Sequence, residues 1–283
     1  MTFHRKPTPH IGHVKIKVLN LDRSLAFYQD ILGFGVLNRT ERTAELTVDG
    51  KTSFLSLEQP EDVIPKQRGT TGLYHFAILL PTVKDLANIV VHLVENDVRF
   101  GASDHLVSEA LYLADPDGNE IEIYRDRPAS EWTWKGTEVD MATIPLNFER
   151  LLAHRTPNEP WEKMPKNAVM GHIHLHVADL KSTEEFYVKG LGMDVVNRFG
   201  PQALFLSYGK YHHHVGTNTW NGIGAPRPAE NSVGLAYYTL VFDNDAVREQ
   251  MIKNLESIGA EVKEVDGKLM TEDPSGNNIV LDV

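Results

Sequence analysis

Ile11-Gly12-His13-Val14-Lys15-Ile16-Lys17-Val18 returns later in the chain as Met170-Gly171-His172-Ile173-His174-Leu175-His176-Val177. Both stretches alternate apolar and polar residues, which is the pattern of a half-buried strand. Each is followed by an aromatic pair and a Leu-Gly step, Phe27-Tyr28 with Leu32-Gly33-Phe34 and Phe186-Tyr187 with Leu191-Gly192-Met193. A second set repeats on the same plan. Gly72-Leu73-Tyr74-His75-Phe76-Ala77-Ile78 matches Gly234-Leu235-Ala236-Tyr237-Tyr238-Thr239-Leu240, and Asp115-Pro116-Asp117-Gly118-Asn119 matches Asp273-Pro274-Ser275-Gly276-Asn277. Repetition at this scale makes the chain a duplication with a less regular join between about Pro128 and Asn167.

Each half divides again. After the strand at 11–18, Asp22 is the expected helix N-cap, with Leu21, Leu25, Tyr28 and Leu32 on one face and Gly33 at the C-terminal end. Strands are predicted at 35–40, 43–48 and 52–58, with Asp49-Gly50 as a hairpin turn. The next unit runs strand 73–80, helix 83–96, strand 98–101, strand 109–114, turn Asp115 to Gly118, strand 119–124. The class is α+β, built from four βαβββ modules. Residues 1–127 form a first domain of modules 1 and 2, and residues 169–283 a second of modules 3 and 4. Residues 128–168, with Trp132, Trp134 and Trp161, form an ordered connector too aromatic to be a floppy linker.

Composition narrows the chemistry. The 283 residues are 41% hydrophobic, enough for a buried core, and the formal charge of −11 argues against a nucleic-acid partner. No apolar run is long enough to cross a membrane, and residues 1–11 lack the apolar segment of a secretory leader, so a cytoplasmic location is expected. Cysteine is absent while 13 histidines are present, so any metal must be held by imidazole and carboxylate.

The βαβββ unit with a histidine early in its first strand, the FY…LGF step and the DPDGNxIEIY ending resembles the vicinal oxygen chelate superfamily. That superfamily contains glyoxalase I, bleomycin-resistance proteins and type I extradiol dioxygenases, and the resemblance covers nearly the whole chain apart from the join. It implies that paired modules curl their strands into metal-binding cups, two in this chain, and that ligands come from the first and last strands of each module. His13, His75, His172 and Glu122 occupy such slots, whereas the last module offers Tyr237 and Val280. Taken alone, Glu122 in Ile121-Glu122-Ile123 is only the polar position of an alternating strand. Together with His75, at the spacing of the family pattern, it is a ligand.

The third ligand depends on module pairing. Chain-order pairing brings His13 to His75 and Glu122. Crosswise pairing, two with three and one with four, brings His172, and is favoured because it adds the histidine-rich Tyr211-His212-His213-His214-Val215 segment, predicted as a strand. By resemblance His214 is the acid–base histidine, with His213 pointing away, and His105 and Tyr112 hydrogen-bond the substrate. Trp220, Tyr237 and Tyr238 are candidate pocket aromatics, and His174 and His176 share a strand face with His172.

Two histidines and a carboxylate on one face leave three positions of an Fe(II) open, and Mn(II) accepts the same set. The resemblance therefore implies a catechol 2,3-dioxygenase-like enzyme that cleaves an aromatic diol with O2 to a muconic semialdehyde, and a homo-oligomer. A glyoxalase-type lyase would want a further carboxylate near Ser56 or Val215, and neither is one. A metal-free binding protein would not need His75 and Glu122 together.

Overall fold

The computed structural model describes residues 3–156 and 159–283. Met1 and Thr2 of the segment read for a leader, and Pro157 and Asn158 of the connector, lie outside the described residues. Module 1 comprises β1 (His10–Lys17), α1 (Leu21–Ala26) running into a π-helical turn (Phe27–Ile31), β2 (Gly35–Arg39), β3 (Thr43–Thr47) and β4 (Leu55–Glu58). Module 2 comprises β5 (Gly72–Leu79), α2 (Val83–Glu95), β6 (Gly101–Asp104), β7 (Ser108–Ala114) and β8 (Glu120–Asp126). The connector holds the two-residue strands β9 (Trp134–Lys135) and β10 (Glu138–Val139) and the short α3 (Phe148–Leu152). Module 3 follows as β11 (Val169–His176), α4 (Leu180–Glu184) with its π turn (Glu185–Gly190), β12 (Asp194–Phe199), β13 (Ala203–Ser207) and β14 (Val215–Asn218). Module 4 is β15 (Gly234–Val241), α5 (Asp245–Ser257), β16 (Val262–Val265), β17 (Lys268–Glu272) and β18 (Asn278–Asp282).

Two eight-stranded sheets result, ordered β16-β17-β18-β15-β1-β4-β3-β2 and β12-β13-β14-β11-β5-β8-β7-β6. Each sheet joins one module from either half: four with one, three with two. The seams are the antiparallel pairs β1–β15 and β11–β5. Among the described residues no helix is long and apolar enough to cross a membrane.

The sheets pair crosswise, but the helix and turn signatures pair along the chain. Tyr28 of module 1 donates to Asp115 of module 2 at 3.2 Å, and Tyr187 of module 3 to Asp273 of module 4 at 3.2 Å. Both aspartates also cap their own turns, accepting from the Asn119 and Asn277 backbone at 2.9 Å each. Asp117 accepts from the backbone of Leu19 at the start of α1. The aromatic pair and the DPDG turn are thus two halves of one buried contact.

Several local expectations need correction. Asn20, not Asp22, caps α1, accepting from the Arg23 backbone at 2.8 Å, and Asp22 instead pairs with Arg39 in the first turn. The strand expected at 98–101 begins at Gly101, because α2 ends in a turn with Asp97 at a φ of +55°. The strand expected across 211–215 begins only at Val215, after Gly209 and Lys210 at positive φ. In the connector, Trp132 is buried against Tyr211, and Trp161 donates to the Leu32 carbonyl of module 1 at 3.2 Å.

Glycine in the opening repeat has a steric cause. The β11–β5 ladder shifts register between Met170 and His172, and β1–β15 shifts between Ile11 and His13, so Gly171 and Gly12 sit at bulges. A Cβ on Gly171 would lie 1.9 Å from the Tyr124 hydroxyl. The bulge puts the next residue, His172 or His13, on the face opposite buried Ile173 or Val14.

The Tyr28→Phe protein is expected to lose about 1–2 kcal/mol, since Asp115 stays buried with one donor fewer. Chemical denaturation against the parent chain checks this, and an unchanged midpoint would show that the Tyr28–Asp115 contact contributes nothing.

Candidate metal centre

The β11–β5 seam and its neighbour β8 assemble one cluster. His172 pairs across with Ala77, Ala77 pairs with Glu122, and His174 pairs with His75, so the four polar side chains rise from adjacent rungs. His75, Glu122 and His172 are all buried, and one ligand atom of each lies within 4.8 Å of the others. Glu122 Oε2 is 3.0 Å from His75 Nε2 and 3.1 Å from His172 Nε2. Burial would raise the Glu122 carboxyl, but His172 and His75 outweigh it and hold it well below the usual carboxylate range. Burial lowers His172 to about 4, which leaves it neutral, the form that binds metal.

Among the described residues Nδ1 of His75 and Nδ1 of His172 have no hydrogen-bond partner, and His75 Nε2 meets Glu122 Oε2 at 3.0 Å without hydrogen-bond alignment. A buried imidazole nitrogen misaligned with a carboxylate is costly, and a cation held by Nε2 of His75, Nε2 of His172 and Glu122 removes that cost. The residues therefore fit a divalent metal, with two nitrogen donors and one oxygen donor.

His13, the other candidate ligand, lies in the other sheet. Its ladder neighbour Thr239 pairs with Val280, and Tyr237 stands where His75 does in the second cup. His13 Nε2 bonds Ser56 Oγ at 2.8 Å, with Lys268 on the Tyr237 hydroxyl at 2.6 Å. At the rung where the second cup has Glu122 the first has Val280, and Lys15 and Lys268 lie beside His13.

A cavity of about 300 Å³ opens onto His75 and Glu122 of the triad. Its polar wall is His75, Glu122, Tyr112, His105, His174 and His213, and its apolar wall includes Val107, Met141, Phe199, Phe205 and Trp220. Larger clefts, of about 670, 610 and 580 Å³, lie among polar loops away from the triad. His105 Nδ1 donates to the Ala142 carbonyl of the connector at 2.7 Å, which leaves Nε2 to accept from the Tyr112 hydroxyl at 2.6 Å. Burial and then Glu122 push the Tyr112 phenol well up, so it stays protonated.

The histidine predicted as acid–base group lies outside the cavity. His214 faces away from the cavity, accepting from the Tyr208 backbone at 3.2 Å and donating to the Phe3 carbonyl at 3.0 Å. His213 lines the cavity instead, its ring 4.1 Å from that of His172. Residues 211–214 bend rather than extend, so strand alternation does not assign their faces. Of the three aromatics, Trp220 lines the cavity, Tyr237 is in the other cup and Tyr238 is core, bonded to Tyr187 at 3.0 Å. Tyr74 was missed, and it joins His75 at the cavity because the seam ladder skips it. His174 accepts from Asn218 at 3.0 Å, and His176 bonds the same amide at 2.8 Å.

Two imidazoles outside the triad, the partly buried His13 and the buried His214, make stability acid-sensitive. Burial and nearby lysines lower His13 from 6.5 to about 4, and burial lowers His214 from 6.5 to about 3. Unfolded chains take up protons below about 6.5, and the folded protein does so only at those lower values. Stability is therefore full above pH ~6.5 and falls from there toward pH ~3. Denaturant midpoints across that range should show the loss, and His13→Gln should lessen it between about 6.5 and 4. A midpoint independent of pH in that window would contradict the assignment.

Residues 10–123 and 169–281 each match the family model described as Glyoxalase/Bleomycin resistance protein/Dioxygenase superfamily. The chain is 44% identical over 269 residues to the catechol-2,3-dioxygenase of Bacillus subtilis (strain 168), covering 94% of either protein. In fold it resembles a crystal structure from Bacillus subtilis subsp. subtilis str. 168 assigned to the dioxygenases, with a TM-score of 0.68 at 14% identity over 96% of this chain and 85% of that one. It also resembles glyoxalase I of Zea mays, with a TM-score of 0.60 at 16% identity over 97% and 92%. With both repeats matched and a relative aligned along almost its whole length, the chain belongs to the Glyoxalase/Bleomycin resistance protein/Dioxygenase superfamily.

Proposed function

We propose that the protein is an extradiol dioxygenase that cleaves catechol or a substituted catechol beside its hydroxyl pair, placing both atoms of O2 in a muconic semialdehyde. The observation that carries this reading is the buried His75, Glu122 and His172 cluster, of which His75 and Glu122 line an aromatic-walled cavity. The catechol-2,3-dioxygenase relative, similar along nearly its whole length, supports the reaction class. The acidic, cysteine-free composition fits a cytoplasmic enzyme.

His75, Glu122 and His172 would hold Fe(II), and Mn(II) suits the same donors. Such an ion, when bound, supplies Lewis acidity toward the diol oxygens and the redox capacity that O2 chemistry needs. The chain's own residues do the rest. His213 reaches the cavity and accepts a proton from a substrate hydroxyl, a task suited to imidazole. Tyr112, held by His105, presents a phenol to the same space. Phe205, Trp220 and Met141 flank the ring and exclude water. A lyase would use a further carboxylate; by strand register the slot expected near Val215 is held by Gly216, which pairs with His174 as Glu122 pairs with Ala77, and Ser56 belongs to the other cup.

Iron-reconstituted protein should consume O2 on addition of catechol and form a yellow product, and an oxygen electrode that records no uptake would reject the assignment. Glu122→Ala is expected to weaken metal binding by more than the roughly 10–100-fold that loss of an outer partner costs, and to abolish turnover. Metal analysis after dialysis reads this, and full occupancy would remove Glu122 from the ligand set. His213→Phe should keep the metal and lose roughly 10²–10⁴-fold in kcat, whereas His214→Phe should keep most activity. Steady-state kinetics of the pair decides between the two histidines.

A further inference from the structure

Behind the cavity runs a line of polar groups that the triad does not use. Tyr124 donates to the Tyr211 hydroxyl at 2.7 Å, and Tyr211 donates to Asp126 Oδ1 at 3.2 Å. The same oxygen faces His212 Nε2 at 2.8 Å. His212 Nδ1 in turn lies 2.9 Å from Nδ1 of His213, the imidazole that lines the cavity. The His212 side chain is fully buried, while Asp126 is partly open to solvent.

The partners determine where the protons sit. A carboxylate only accepts, so the proton of neutral His212 is on Nε2 and its Nδ1 is an acceptor. His213 must then donate from Nδ1. Its Nε2 keeps its lone pair and has no hydrogen-bond partner among the described residues. We propose that Asp126 and His212 are positioning residues that hold His213 in the Nδ1-protonated tautomer and so leave its Nε2 free to take a substrate proton. This rests on the reading of His213 as the proton acceptor. Without the pair, either His213 nitrogen can carry the proton and the ring can turn, so only a fraction of molecules presents a base. Tyr211 gives the carboxylate a second donor, and Tyr124 reaches the Tyr211 hydroxyl through the space left by Gly171.

The direct test is the ring-nitrogen NMR spectrum of ¹⁵N-histidine protein loaded with diamagnetic Zn(II), with His213→Phe used to assign the signals. The expected spectrum has His213 protonated at Nδ1 and bare at Nε2, and the Asp126→Ala spectrum shows that preference lost. Turnover of the Fe(II) enzyme gives the second arm. Asp126→Ala and His212→Phe are each expected to lower kcat by roughly 10–100-fold, with KM for catechol and metal content unchanged. The double variant should be no slower than His212→Phe, because the two act as one unit. Asp126→Asn, which keeps an acceptor oxygen, should recover part of the loss. A wild-type His213 protonated at Nε2 overturns the proposal whatever the variants do, even if they fail to fold. Wild-type kcat in both single variants, with His213→Phe inactive, overturns it and leaves the dioxygenase reading standing. An active His213→Phe enzyme rejects the reading itself, and the spectrum then still decides the tautomer.

Discussion

The antiparallel seam between β11 and β5 is the contact on which the site depends. It joins a strand from the third module to one from the second, and so brings His172 from far along the chain beside His75 and Glu122. The seam is not a plain ladder. A bulge at Gly171 turns His172 toward the cup, and a second irregularity frees Tyr74 from pairing and admits it to the cavity beside His75. The missing Cβ of Gly171 matters as much as the added residue, because the Tyr124 hydroxyl fills its place.

The two cups show how one scaffold separates stability from chemistry. Their backbones share the same sheet order and the same bulge after the opening strand residue. In one, the rung positions carry His172, His75 and Glu122. In the other they carry His13, Tyr237 and Val280. Replacing a carboxylate by valine and an imidazole by a phenol removes both the charge and the donor set a cation needs. What is left is a partly buried histidine, hydrogen-bonded to Ser56 and kept neutral by its surroundings. The first cup contributes packing, since both sheets share one continuous apolar core.

Contacts that cross the module boundaries hold this arrangement together. The sheets tie module 2 to 3 and module 1 to 4, while the Tyr28–Asp115 and Tyr187–Asp273 contacts tie 1 to 2 and 3 to 4. Every module is therefore fixed to two others, and the connector adds Trp132 against Tyr211 behind the site and the Ala142 carbonyl on His105 at its mouth. That carbonyl and the Met141 side chain make the connector part of the cavity wall.

Four modules of βαβββ order were legible in the repeat, because strand alternation, Leu-Gly steps and DPDG turns are local patterns that bury one face whatever the partner. His75, His172 and Glu122 were legible as donors for the same reason: each stands at a recurring place in a repeated strand. Local pattern also told against the fourth module as a ligand source, since Val280 has no donor atom. Which of His13 and His172 lies beside His75 and Glu122 is set by strand pairing across the seam, a long-range contact to which local sequence merely gave a preference. That His213 rather than His214 lines the cavity needed the three-dimensional structure too. Three adjacent histidines carry no face of their own, and the bend after Lys210 broke the alternation that would have assigned one. The Asp126–His212 pair was invisible for a like reason, because a carboxylate ending one strand and an imidazole in a distant bend meet only once the sheets are folded.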